Sequence, residues 1–210
     1  MTEPLYITAS CSIAENVVAK DNKILFANKG TAAQPFLVSV YEHFAFNYPR
    51  FYKMDNLCKL GWLAAEILLD QSFDKTIYDP GDVGLLIANR SSSLDTDIRY
   101  FETVKTMASP ALFVYTLPNI VLGEICIRHH FKGENDFFIF DQFEAGFMHQ
   151  YTAHLFATEA LQAGICGWLE IMGNSFNAHL WLVEKKTSPN AVLFTEENIH
   201  HPPGQPYPTD

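Results

Sequence analysis

The sequence predicts an α/β protein with a mixed, mainly parallel sheet that carries helices on both faces. Two apolar runs, VGLLIA (83–88) and FFIF (137–140), have the continuous hydrophobic pattern of strands buried on both sides. Helical patterns separate such runs along the chain, and strands that alternate with helices form crossover units. With 210 residues, 48% of them hydrophobic and 18% charged, the chain is long enough to bury one sizeable core.

The first predicted elements are two short strands and one helix. Their residue patterns place the strands over 5–10 and 23–27. The apolar residues at helical spacing that follow are Leu57, Leu60, Ala64, Ile67 and Leu68. Asp55 is positioned to cap this helix, which we expect to run to Asp70.

Two further helices are predicted between the buried strands. The first follows Ser93 or a neighbouring cap, and its apolar face carries Ile98, Phe101 and Val104. The second has Thr116 as its N-cap, Pro118 in its first turn and Gly133 as its left-handed end. His129 and His130 fall near its end, where cations complement the helix dipole, so we interpret this pair as structural.

The last third of the chain is predicted to form a long helix, two strands and a tail. We expect the helix over 145–163, stopped by Gly164, and the strands over 168–172 and 180–183. Four prolines in HHPPGQPYPTD (200–210) disfavour helix and sheet. We therefore assign one folded domain to residues 1–186 and a proline-rich tail to 187–210.

Charge and composition exclude several classes of function. The chain has 14 Lys and Arg against 24 Asp and Glu, a formal net charge of −10, which disfavours nucleic acid and anionic membrane surfaces. Uninterrupted apolar runs stay short of the ~20 residues that a spanning helix needs. The N-terminus lacks the features of a secretory signal, so we expect a cytoplasmic protein.

The sequence contains no motif for a metal or an organic cofactor. Four cysteines lie far apart without a C-x-x-C pair, and we expect them to be reduced: Cys11, Cys58, Cys126 and Cys166. Neither a P-loop nor a G-x-G-x-x-G string occurs. We therefore expect no bound cofactor and no metal site.

The strand–turn–helix segment FFIFDQFEAGF (137–147) is the most informative place for chemistry. The free N–H groups at a helix start stabilise a thiolate or an oxyanion, and enzymes place Cys or Ser in such a turn. This turn offers Asp141, Gln142, Phe143 and Glu144 instead. An amide is a poor nucleophile, so capping is the simpler interpretation of these residues.

A hydrolase is an alternative that the residues leave open. Asp141 and Glu144 could form an acid–base pair, although a helix N-terminus stabilises the carboxylate anion and weakens it as a base. A serine from the run 91–93 could act as nucleophile, or it could cap the next helix. The string GNSFN (173–177) lacks the second glycine of G-x-S-x-G.

Four segments, in this order, resemble the N-terminal half of a β-ketoacyl synthase of the thiolase-like superfamily. They are RFYKMDNLCKLGWLAAE (50–66), VGLLIANRSSSLDTD (83–97), SPALFVYTLPNIVLGEICIRHHFKGEN (109–135) and the turn just described. The resemblance covers about residues 5 to 185. It implies a thiolase-like half of the fold.

Two departures from the family change the function that the resemblance implies. The catalytic Cys is expected seven residues after the Asn of the G-x-N turn, and counting from Asn135 reaches Gln142. Synthases are also about twice as long, and the half that supplies their catalytic histidines is not in this sequence. Gln after Asp at this position is similar to chain-length-factor subunits, which lack catalysis and shape the acyl tunnel of a partner ketosynthase.

The resemblance also implies which residues would contact the acyl chain and the partner. The substrate-tunnel candidates are Phe113, Thr116, Leu117, Ile120, Gln142 and Phe143. The dimer-interface candidates are Phe137, Phe138, Ile139, Phe140 and Asp141, in a strand that would pair across a two-fold axis.

We expect a non-catalytic accessory subunit in fatty-acid, polyketide or polyene synthesis, paired with a catalytic ketosynthase. Its contact with acyl carrier protein would be indirect, because carrier proteins of this family are acidic and this chain is too. Its many aromatic residues also favour a protein partner. A homodimeric scaffold that kept the fold and lost the chemistry is the second alternative.

Overall fold

The computed structural model describes residues 3–200, which form one mixed sheet with helices on both faces. The strands are β1 Tyr6–Ala14, β2 Val17–Lys20, β3 Lys23–Ala27, β4 Val83–Asn89, β5 Asn135–Ile139, β6 Ala163–Met172, β7 Ser175–Glu184 and β8 Val192–Leu193. The helices are α1 Ala33–His43, α2 Asn56–Leu69, α3 Leu94–Val104, α4 Pro110–Phe113, α5 Ile120–His129, α6 Ala145–Ala157 and α7 Glu196–His200.

The strand order is β3-β2-β1-β7-β6-β4-β5, and β8 pairs with β1. Only the pairings of β4 with β5 and with β6 are parallel, and the other five pairings are antiparallel. The predicted mixed α/β sheet is confirmed, but its parallel pairs are the minority. The reason lies in three two-residue connections that close antiparallel hairpins at positions 15–16, 21–22 and 173–174.

Strand β4 is a switch point in the sheet. The chain leaves β4 toward β5 on one side, passing α5, and then returns from β5 through α6 to β6 on the other side. Because parallel crossovers are right-handed, these opposite directions place α5 and α6 on opposite faces. The two faces carry separate apolar cores. Helices α1, α2 and α5 contribute to one, which we call the α2 core, and α6 and α7 contribute to the other, which we call the α6 core.

Helix α2 is buried along all of its 14 residues. Asp55 caps it as predicted, accepting a hydrogen bond from the Cys58 N–H at 2.9 Å. Its two buried charged residues are partnered: Lys59 lies over the Phe51 ring, and Glu66 pairs with Arg128. The helix therefore forms the centre of the larger core.

Two predicted helix ends are wrong because tertiary contacts end the helices early. Helix α5 starts at Ile120, beyond Thr116, and stops at His129, since His130 adopts a left-handed conformation and Gly133 N–H bonds to Val83 O. Helix α6 stops at Ala157, because the chain turns there to reach Asp82 O through the Gln162 N–H. Gly164 consequently lies inside β6.

The folded region extends beyond residue 186, where we placed the start of the tail. Strand β8 pairs with the start of β1, and the side chains of Phe194 and Ile199 are buried in the α6 core. The predicted extended stretch 201–210 lies outside the described residues. Helix α1 and strand β2 had not been predicted.

Candidate functional site

The carboxyl ends of β4, β5 and β6 meet at one edge of the sheet, where α/β proteins commonly bind ligands. At this edge the backbone N–H of Phe140 donates to Asn89 O at 2.9 Å and ties the end of β5 to the end of β4. The chain then bends through Asp141 and Gln142, both exposed, before α6 begins at Ala145. This is the strand–turn–helix that the sequence predicts over 137–147, and we call it the elbow.

Glu144 does not cap α6 with its side chain, so the capping interpretation fails at that residue. Its backbone carbonyl accepts the Met148 N–H at 2.9 Å. The helix is instead attached to the elbow strand by aromatic contacts. Phe138 lies 5.0 Å from Phe147 and 5.3 Å from Tyr151, measured between ring centroids.

Phe143 turns away from Gln142 and packs on the sheet. Its ring lies 6.0 Å from Trp168 and 5.5 Å from Trp181. His179 stacks beside Trp181, and burial lowers the pKa of its imidazole to about 4. The His179 imidazole is therefore neutral at pH 7, beside an aromatic cluster.

Residues 89–93, which comprise the last residue of β4 and the four residues after it, form a hydrogen-bonded loop tied to the elbow. The buried Asn89 side chain bonds both backbone groups of Ser92, accepting its N–H at 2.9 Å and donating to its carbonyl at 2.8 Å. A Glu170 carboxylate oxygen accepts the N–H groups of Arg90 and Ser91 at 2.7 and 3.1 Å. These bonds satisfy the turn without an external ligand.

The tunnel candidates lie on two sides of this loop. Gln142 and Phe143 belong to the elbow, whereas Phe113, Thr116 and Leu117 lie in the segment 110–117, formed by α4 and the 3-10 turn Val114–Thr116. The Ser93 hydroxyl joins the loop to this segment by donating to Thr116 O at 2.8 Å. Ile120 is half-buried against the α2 core.

Together with α3, the segment exposes an apolar face. Its large exposed side chains are Leu94, Ile98, Phe101, Val104, Met107, Phe113, Val114 and Leu117. We call these eight residues the α3 apolar face. Phe113 is 59% exposed and Leu117 57%, so neither contributes to the core of this chain. A contiguous apolar patch is typical of a protein or ligand contact.

Strand β5 is an outer strand of the sheet, with a free edge beyond its pairing to β4. Of the dimer-interface candidates, Phe137 packs toward the α2 core, and Phe138 and Phe140 pack toward the α6 core. Ile139 is 49% exposed, and Asp141 is exposed as well. An open edge of this kind can accept another strand.

An ion pair between a buried carboxylate and a half-exposed arginine lies behind the segment 110–117. The Glu124 side chain is 2% exposed, and one of its oxygens accepts hydrogen bonds from Arg50 Nη2 at 3.0 Å and Nε at 3.2 Å. The Tyr115 hydroxyl donates to the same oxygen at 3.2 Å. Burial, together with this carboxylate, raises the pKa of the Tyr115 hydroxyl well above its ordinary value. We call Arg50, Glu124 and Tyr115 the Glu124 clamp.

The four thiols lie away from the elbow turn. Cys11 and Cys58 belong to the α2 core, and burial raises the pKa of Cys11 to about 12. Cys126 bonds to Asn135 at the opposite end of β5. Cys166 lies within β6 beneath α6, and burial raises its pKa to about 12.

The serines proposed for the hydrolase alternative make structural hydrogen bonds. The Ser93 hydroxyl contacts Asp97 Oδ2 at 3.2 Å in addition to Thr116 O. The string GNSFN comprises the two-residue hairpin turn 173–174 and the first three residues of β7.

Residues 3–200 contain neither a candidate metal cluster nor a single helix of membrane-spanning length. No group of three or more His, Cys, Asp or Glu in this part of the chain could hold a metal ion. No single helix there has the length and apolar character to cross a membrane. The helical segments 110–116 and 120–129 meet those criteria as a pair, with a 97° bend between them.

Sequence reasoning missed several residues that shape this edge. None of Asn89, Glu170 and Glu124 was identified as a candidate from the sequence. Asn directly after a buried strand and before Ser-Ser-Ser was the available signal for the loop. For the Glu124 clamp the signal was a lone carboxylate in the apolar run IVLGEICI (120–127).

No family model and no curated protein matches the chain. Solved structures do match. An ishigamide ketosynthase/chain length factor superposes with a TM-score of 0.63 at 14% identity, over 86% of this chain and 62% of that one. A type II PKS acyl-carrier protein in complex with its ketosynthase bound to the hexaketide (AntDE:AntF) gives 0.61 at 15%, over 88% and 63%.

A third similar structure is the ketosynthase ApeO in complex with its chain length factor ApeC from Xenorhabdus doucetiae. Its TM-score is 0.59 at 12% identity, with 88% of this chain and 80% of that chain covered. The chain thus spans less than two thirds of the length of the first two matches. At these identities the similarity concerns the fold alone, which this chain shares with those ketosynthase and chain length factor structures.

Proposed function

We propose that this chain is a catalytically silent, chain-length-factor-like subunit that pairs with a ketosynthase and shapes its acyl tunnel. The observation that carries the proposal is Gln142 in the turn between β5 and α6. The synthases that the sequence resembles have their nucleophilic Cys at this position. An amide cannot form the thioester that acyl transfer requires.

The positions of the thiols support this proposal. A Cys acts as nucleophile through its thiolate, and burial disfavours that form at Cys11 and Cys166. Burial also raises the pKa of Cys126 to about 11. None of these three groups is therefore activated at neutral pH, and their distance from the elbow argues against a substitute for the missing sulfur.

Two exposed features support a protein partner. Strand β5 has a free edge, and the α3 apolar face leaves eight large side chains in solvent. Phe113, Thr116 and Leu117 lie in the segment next to the elbow, where they could contact a growing acyl chain. The net charge of −10 disfavours direct docking of an acidic carrier protein, so the partner would perform that step.

Co-purification from the native host tests the pairing. We expect tagged full-length protein to recover a ketosynthase in equal amounts. A homodimer with no ketosynthase would overturn the accessory role in favour of the scaffold alternative.

Activity assays test the silence of the elbow. The purified chain, given malonyl- and acyl-carrier protein, should yield no condensation product, whereas the recovered complex should. Product from the chain alone would contradict the proposal. Release of acid from a simple thioester that disappears in Ser91→Ala would favour the hydrolase alternative.

The tunnel role is tested by replacing Ile120 or Phe113 with alanine in the recovered complex. A smaller side chain should lengthen the products, because it removes the obstruction to chain growth. Unchanged product lengths in both variants would remove the gate assignment.

A further inference from the structure

We infer that Tyr115 and Glu124 are positioning residues that fix residues 113–117. This part of the segment 110–117 carries Phe113, Thr116 and Leu117, the proposed acyl contacts, and its position would set the product length. This inference rests on the proposed function. It concerns residues that do not themselves face the acyl chain, because Glu124 is 2% exposed and Tyr115 packs against the α2 core.

The segment is held at two adjacent residues. The Tyr115 side chain is bonded to the Glu124 carboxylate at 3.2 Å, and the Thr116 carbonyl is bonded to the Ser93 hydroxyl at 2.8 Å. Phe113 and Leu117, on either side of these attachments, are more than half exposed. The two attachments therefore determine how the exposed side chains are presented.

The Glu124 carboxylate is itself held in place. Arg50 approaches both of its oxygens, with Nε 2.9 Å from one and Nη2 3.0 Å from the other. The arginine lies in the 3-10 turn Pro49–Lys53, whose Phe51 is buried in the core. The clamp thus connects the segment to a rigid part of the fold, and a charged acceptor makes the Tyr115 bond stronger than a neutral one.

The chain contains a matched control for this clamp. At the far end of β7, Glu184 is fully buried, accepts the Tyr78 hydroxyl at 2.7 Å and pairs with Lys186 at 3.1 Å. Tyr78→Phe and Tyr115→Phe each remove one tyrosine hydroxyl from a buried, cation-paired carboxylate. Only the second of these variants releases segment 113–117.

The first experiment uses the full chain without a partner. We expect Tyr115→Phe to raise hydrogen-exchange rates of the amides in 113–117 by about tenfold, the effect of losing one hydrogen bond to a charged group. Tyr78→Phe should leave those rates unchanged. Equal rates in Tyr115→Phe and wild type would show that the clamp positions nothing and would refute the inference.

The second experiment measures product lengths in the recovered ketosynthase complex, using malonyl- and acyl-carrier protein. Tyr115→Phe should shift the product distribution, and Tyr78→Phe should not. If Ile120→Ala shifts the distribution while Tyr115→Phe does not, the inference fails and the proposed function survives. If no ketosynthase is recovered, the proposed function fails, and with it the link from the clamp to product length.

Discussion

Asp55 connects the central helix to the helix that carries the α3 apolar face, and its removal is the perturbation we expect to be most informative. One carboxylate oxygen accepts the Cys58 N–H at 2.9 Å and caps α2. The other accepts the Thr96 hydroxyl of α3 at 2.6 Å. Asp55 is 4% exposed and Thr96 1%, so water cannot easily replace either partner.

The cost of Asp55→Ala follows from these two bonds. Losing an N-cap costs about 1 kcal/mol, and a buried hydroxyl left without a partner costs about 1–3 kcal/mol. We therefore expect a loss of about 2–4 kcal/mol in the free energy of unfolding, measured by urea denaturation. Asp55→Asn keeps a capping oxygen and supplies an amide that can donate to Thr96, so it should cost less than about 1 kcal/mol.

Asp74 provides the control, because it accepts the Thr76 N–H at the same distance of 2.9 Å but is exposed. Water can take its place, so Asp74→Ala should leave the urea midpoint within error of wild type. A double-mutant cycle of Asp55→Ala with Thr96→Val isolates the bond between the helices, and we expect a coupling energy of about 1–3 kcal/mol. The reasoning would be refuted if Asp55→Asn cost as much as Asp55→Ala.

Three further predictions concern a buried carboxylate, the elbow and the thiols. Burial alone would raise the pKa of Glu66, but hydrogen bonds from His129 and Arg128 outweigh it and lower the pKa below the ordinary value of 4.5. The contribution of the ionised Glu66 to stability is therefore present above pH 4.5 and lost as pH falls through the folded-state pKa. The urea midpoints of wild type and Glu66→Gln should converge at low pH. A difference that stays constant with pH would contradict this. Gln142→Cys should be alkylated by iodoacetamide at the new thiol, as seen by mass spectrometry. It should still give no condensation product when assayed alone, and turnover would contradict this. In the native protein at pH 7 a thiol reagent should react slowly, and first at Cys126, the only cysteine within residues 3–200 that is not buried. All four cysteines should react after unfolding. Rapid labelling of a second thiol in the native protein would contradict the burial of the other three.

Local signals predicted the parts of the fold that depend on neighbouring residues. Asp55 and the apolar spacing that follows it gave α2 to within one residue at each end, and the run 83–88 gave β4. Helix α1 carried an equally local signal, which was overlooked. Its buried residues are Ala33, Phe36, Leu37, Val40 and Tyr41, which follow helical spacing.

The sheet pairing depended on turns rather than on the strands themselves. Glu15, Asn16, Asp21 and Asn22 all adopt positive φ, and both two-residue turns close hairpins. Asn and Asp tolerate this conformation, so the two turns were a readable signal for antiparallel pairing. The ends of α5 and α6 had no such signal, because they are set by bonds to Val83 and Asp82, distant in sequence.

The elbow was predictable as a strand–turn–helix, but its neighbours were not, because three segments distant in sequence meet there. The loop 89–93 holds the elbow through Asn89 O and Phe140 N–H, and it holds the segment 110–117 through the Ser93 hydroxyl and Thr116 O. None of these bonds uses the side chain of Gln142. A change of the residue at position 142 is therefore expected to leave these bonds intact, as the proposed shaping role without catalysis requires.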